Sequence, residues 1–116
     1  MLTEEIRNAI KKRAATDDEW DFGIEQCWKE EIAILSQNID DTIIFFEQEC
    51  TADEFSWLSE IFDELIEKLP DSRIIKVLKN TAKKYPEECQ KYNILDFIDS
   101  AQARLEFLTN SSEEDI

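Results

Sequence analysis

The sequence predicts an all-α protein, an irregular bundle of five or six helices. Three observations carry this. One glycine and two prolines in 116 residues leave little material for hairpin turns. The apolar residues recur at spacings of three and four rather than two. A hydrophobic content of 42%, with 10% aromatic, supplies the apolar surface that an ordered core needs. The length suits a single domain over residues 1 to 116, with a frayed acidic tail at about 109–116.

The first helix is expected over about 3 to 15. Leu2, Ile6, Ala9, Ile10 and Ala14 form its apolar stripe, with Arg7, Lys11, Lys12 and Arg13 elsewhere. Thr16-Asp17-Asp18-Glu19 has the form of a capping box and predicts the start of a second helix. Trp20, Ile24, Cys27, Trp28, Ile32 and Leu35 then share a face. Gly23 offers a later start that would leave Trp20 and Phe22 in an ordered loop. Glu31 falls near the middle of the apolar face, a candidate buried acid with a raised pKa.

A third helix over about 39 to 49 aligns Ile39, Ile43, Phe46 and Cys50, with Ile44 and Phe45 pointing elsewhere; being apolar nearly all round, it should be central. Thr51-Ala52-Asp53-Glu54 is a second capping box, and Cys50 with Phe55 occupies the positions of a hydrophobic staple. The fourth helix runs to Leu69 and is closed by Pro70. Its core stripe is Phe55, Leu58, Phe62, Leu65, Ile66 and Leu69. Trp57 lies about 120° from the stripe's centre on a straight helix, bordered by Asp53, Glu60 and Glu64, with Ile61 and Lys68 at the far edge.

The fifth helix, about 72 to 85, packs through Ile74, Ile75, Val77, Leu78, Ala82 and Tyr85 and is ended by Pro86. A turn through Cys89 and Tyr92 leads to a last helix over about 94 to 108, with Ile94, Phe97, Ile98, Ala101, Leu105 and Leu108 inward. Ile44, Phe45 and Phe107 fall off the main stripes and suit either core or a dimer seam; a monomer is the favoured state.

Charge narrows the function. The chain has 28 acidic and 13 basic residues, a formal net charge of -15. Such a chain is repelled by nucleic acid and by anionic membranes, so its natural partners are basic. The acids concentrate between residues 16 and 70, where only Lys29 and Lys68 interrupt them. No apolar run exceeds four residues, which argues against a transmembrane or secretory segment and predicts a cytoplasmic protein. Cys27, Cys50 and Cys89 are too widely spaced for a zinc site and suit reduced thiols.

Catalysis is not expected. The chain has no histidine, which removes Ser-His, Cys-His and His-metal chemistry, and no cysteine has an activating base nearby in sequence. Carboxylate pairs alone arise by chance in any acidic helical protein. Asp17, Glu19 and Asp21 alternate as calcium ligands do, but an EF-hand loop from Asp17 needs glycine at 22 and an acid at 28, where Phe22 and Trp28 stand. Neither a metal nor a cofactor is expected.

A small acidic helical protein without a cofactor is suited to binding. A tryptophan among carboxylates is what a tight interface with a basic partner uses: a rigid anchor plus steering charges. The candidate partner-binding residues are therefore Trp57 as anchor with Asp53, Glu60, Glu64 and Glu67 around it. Asp17, Asp18, Asp40 and Asp41 form a second acidic patch. The acids Asp63, Glu64 and Glu67 also crowd the C-terminal half of their helix, where the macrodipole disfavours them.

The runs "ECTADEFSWLSEIFDELIEKL" and "KKYPEECQKYNILDFIDSA" resemble a family of small bacterial proteins from toxin and immunity loci, the immunity proteins of contact-dependent growth inhibition systems. The resemblance covers about residues 17 to 108. It implies a protein that binds and neutralises one cognate toxin C-terminal domain, an RNA-cleaving nuclease by expectation. An acidic adaptor or regulatory module for a basic host protein is the alternative, with a nucleic-acid mimic third.

Overall fold

Capping chemistry and two departures from the α-helix explain where the chain bends. The computed structural model describes residues 2 to 114, with side chains through residue 109. Among them run seven continuous helical rods and no strand. These are α1 (Leu2–Ala15), α2 (Asp21–Leu35), α3 (Ile39–Ile44, then a π-turn at Phe45–Glu49) and α4 (Ala52–Leu58, a 3₁₀ turn at Ser59–Ile61, then Phe62–Lys68). α5 (Ser72–Lys84), α6 (Pro86–Tyr92) and α7 (Ile94–Glu114) complete the chain.

The all-α expectation holds, but the helices number seven rather than five or six. The difference lies at Pro86, which both ends α5 and opens α6 at the first helical position, where its missing N–H is no loss. The expected turn through Cys89 and Tyr92 is therefore helical. Asn93 closes α6 in the left-handed conformation, with φ 55°. α7 passes its expected end near 108 and continues to Glu114; residues 115 and 116 of the expected tail lie outside the described residues.

The capping box at Thr51 is formed: its side chain accepts from the Glu54 N–H and the Glu54 carboxylate accepts from the Thr51 N–H, at 3.2 and 3.0 Å. The one expected at Thr16 is not. Its hydroxyl instead donates to the Lys12 carbonyl of α1 at 2.6 Å, and the Glu19 N–H turns to the Asp17 carboxylate at 2.9 Å. Residues 16 to 20 thereby form a turn, and α2 begins only at Asp21, with Gly23 in its first turn. Trp20 and Phe22 are exposed, with their rings 6.2 Å apart.

Burial decides between core and seam for Phe45 of α3. Phe45 and Phe46 are both buried, although a regular α-helix points them 100° apart. The Cys50 N–H bonds back five residues to the Phe45 carbonyl at 2.8 Å, and both rings lie with the buried Thr42 on one i, i+3, i+4 face. Phe46, Phe55 and Phe62 pack there with centroids 5.5 to 6.4 Å apart. The carbonyls left free at the end of α3 are taken by side chains: Phe46 by Thr81, Glu47 by Lys84, Glu49 by Arg7 and Cys50 by Tyr85.

α4 runs through the middle of the molecule. Its first half contacts α1 and α6, and its second half packs against α2 and α7; α5 crosses both α7 and the π-turn. The 3₁₀ turn has three residues per revolution and resets the phase of the helix. Ile61, placed beside Trp57 by a straight helix, is consequently fully buried, and Leu69 is only half-buried. Phe97, expected inward, is exposed on α7.

Candidate partner-binding cleft

Around the 3₁₀ turn of α4, one guanidinium and one carboxylate tie three helices together. Arg13 comes from the last turn of α1 and its side chain is 7% exposed. Its Nε and Nη2 donate to the two oxygens of Glu60 at 2.9 and 2.7 Å, a bidentate fork. Its Nη1 donates to Asp18, in the turn before α2, at 3.2 Å. From α2, Trp28 Nε1 donates to Glu60 at 2.9 Å. The Arg13 guanidinium also lies 5.1 Å from the centroid of the Trp57 ring, a cation–π distance. Burial works against the Arg13 charge, but the hydrogen bonds and charge of Glu60 outweigh it and hold the guanidinium above its usual pKa.

Glu31 of α2 is fully buried and neither of its carboxylate oxygens has a hydrogen-bond partner among the described residues. Burial pushes its pKa up to about 8, the nearby charges of Glu60 and Glu30 add to the rise, and Arg13 opposes it. The acid on the apolar face of α2 thus sits where the sequence places it. At neutral pH it is mostly protonated.

Outside this network a cleft of about 490 Å³ opens to solvent. Trp57 of α4, Tyr92 at the end of α6 and Phe97 of α7 are among its lining residues, as are Asp18, Asp53 and Glu60; Arg13 lines it too. Tyr92 and Phe97 are 46% and 41% exposed, too much for core residues and enough for contact with another molecule. Asp53 is exposed, and its carboxylate forms no ion pair or hydrogen bond among the described residues.

The structure brings together Trp57, Asp53, Glu60 and Asp18. Trp57 is half-buried, packed against the core on one side and lining the cleft on the other. Glu60 is not a free carboxylate, because Arg13 and Trp28 occupy both of its oxygens. Glu64 and Glu67 are exposed but do not line the cleft, and Glu67 pairs with Arg104 of α7 at 3.2 Å. The second acidic patch is divided. Asp17 and Asp18 precede α2, whereas Asp40 and Asp41 follow it, a helix length of roughly 22 Å away. Asp40 pairs with Arg73 of α5 at 3.4 Å, and Asp41 is exposed.

Arg13, Trp28, Tyr92 and Phe97 are the members of the site that the sequence does not single out. Arg13 lies off the apolar stripe of α1, and its burial depends on a carboxylate 47 residues away. Comparison with known proteins finds no matching family model, curated protein or solved structure. Among the described residues no helix is long and apolar enough to cross a membrane.

Proposed function

We propose that this protein is an inhibitor by binding, an immunity protein that neutralises a cognate toxin domain with a basic surface, a nuclease by preference, through its acidic face. The observation that carries the reading is the distribution of unpaired charge. Three of the four bases of α1, Arg7, Lys12 and Arg13, are engaged in ion pairs with Glu54, Glu30 and Glu60, and Lys11 enters none among the described residues. By contrast Asp17, Asp21, Glu25, Asp41, Asp53 and Glu64 are exposed and enter no ion pair among the described residues. Because each pair cancels one acid against one base, the excess of acids in the first half remains on the surface as these unpaired carboxylates.

A nuclease must present lysine and arginine to hold phosphates, and an inhibitor of opposite charge gains association rate and selectivity against it. The half-buried Trp57 supplies a rigid anchor in the cleft that Asp53 also lines. The resemblance to immunity proteins rests on the two sequence runs and accords with this surface.

The test is rescue. Cells expressing the C-terminal domain of the exported protein encoded by the adjacent upstream gene should survive when this chain is co-expressed, and the two purified proteins should form a stoichiometric complex. Survival unaffected by the chain, with no complex at micromolar concentrations, would overturn the proposal and favour an adaptor.

A further inference from the structure

We propose that the cleft at Trp57 receives a single arginine side chain from the partner protein, with Asp53 and Asp18 as its counter-charges and Trp57, Tyr92 and Phe97 as its aromatic walls. The proposal rests on the reading of the protein as a binder of basic partners and names the group that it would grip.

Charge selects the occupant. Three carboxylates, Asp18, Asp53 and Glu60, and one guanidinium, Arg13, line the cleft. Glu60 is matched one to one by Arg13 through two short bonds. Asp53 has no partner for its carboxylate, and Asp18, 84% exposed, is held by one bond of 3.2 Å. Two acids are therefore available, and Asp18 can turn from Arg13 to an incoming cation at the loss of one part-buried hydrogen bond.

Shape selects arginine over lysine. The guanidinium is planar, stacks on aromatic faces and forks onto carboxylates, whereas the ammonium is compact and strongly hydrated. The site already shows this chemistry internally, since Arg13 combines a carboxylate fork with an aromatic contact at 5.1 Å. Another groove, of about 630 Å³ between α5, α6 and α7, is lined by Lys79 and Lys83 as well as Asp96 and Asp99, so its charge selects no occupant.

N-acetyl-arginine amide is the probe, titrated into the isotopically labelled protein while the indole N–H of Trp57 and the amides of residues 18, 53, 92 and 97 are followed by NMR. These signals should shift together and saturate. The citrulline analogue, equal in shape but uncharged, should move them little, and the lysine analogue should bind more weakly. Asp53→Asn should weaken the arginine probe by about threefold, and Glu47→Gln, an exposed acid on the π-turn of α3 that does not line the cleft, should leave it unchanged.

Absence of a saturable shift at Trp57, or an equal response to citrulline, would overturn the proposal. Its failure is distinguishable from that of the inhibitor reading. If the chain rescues cells and Asp53→Asn binds the toxin domain with unchanged affinity, the cleft is not the grip although the function stands. If the probe binds at Trp57 and no rescue occurs, the cleft stands and the inhibitor reading falls.

Discussion

Replacing Glu31 by glutamine should flatten the dependence of stability on pH. In the unfolded chain this carboxyl titrates near 4.5, and in the folded protein near 8, because it is buried without a partner and faces the charges of Glu60 and Glu30, only partly offset by Arg13. Over that interval the folded state holds a proton that the unfolded state has released. The unfolding free energy contributed by this group is complete below pH 4.5, falls as pH rises, and levels off above 8.

At 1.36 kcal/mol per pH unit, and allowing for curvature at both ends, the loss between pH 5 and pH 7.5 is about 3 kcal/mol. That is a large part of the stability of an ordinary domain and shifts Tm by roughly 10 °C. Glu31→Gln keeps the shape and removes the titration. The assay is urea unfolding of both proteins at pH 5, 6, 7 and 7.5 and constant ionic strength. The difference between variant and parent should move in favour of the variant by about 3 kcal/mol across the series. Any constant cost of burying the amide cancels in that change. Parallel profiles would refute the reasoning and show that Glu31 has a partner or water in solution.

Two further expectations concern local structure. Thr51→Ala removes the acceptor for the Glu54 N–H and should cost about 1 kcal/mol in urea unfolding, whereas Thr16→Ala, which removes no cap, should stay within about 0.5 kcal/mol. In Gly23→Ala the new methyl would stand 2.3 Å from Trp20 Cε3, so the half-exposed indole must swing away; a change in near-UV circular dichroism with a cooperative unfolding transition retained is the expected result.

The helices were legible wherever local chemistry decides them. The box at Thr51, the stop at Pro70 and the stripe Ile74, Ile75, Val77, Leu78 and Ala82 depend on residues a few positions apart, and each is found. Thr16 carries the same local signal and fails, because the preceding helix offers its hydroxyl a carbonyl acceptor. Regular periodicity also misplaces residues where the helix is not α. The 3₁₀ turn buries Ile61. No wheel drawn at 100° per residue contains that reset.

The site was half legible for a related reason. Trp57, Asp53 and Glu60 lie within two turns of one helix, and so their proximity follows from sequence. Arg13, Trp28, Tyr92 and Phe97 come from four other helices, and only tertiary packing brings them to α4.

Once Arg13 is in place, the roles of the acids separate. A carboxylate bonded by a buried guanidinium and an indole N–H, as Glu60 is, holds helices together, and removing Arg13 would leave it the indole N–H and solvent, at a cost of about 2 kcal/mol. A carboxylate at the rim with no bond, as Asp53 is, contributes to folding only as an acid in the first turn of α4, about 0.5 kcal/mol. The cluster at Trp57 thus contains one acid whose substitution should be read chiefly in stability and another whose substitution should be read chiefly in binding, and both line one cleft with Trp57. Any effect of changing Trp57 itself will mix both, so Asp53 is the residue at which recognition can be measured apart from the fold.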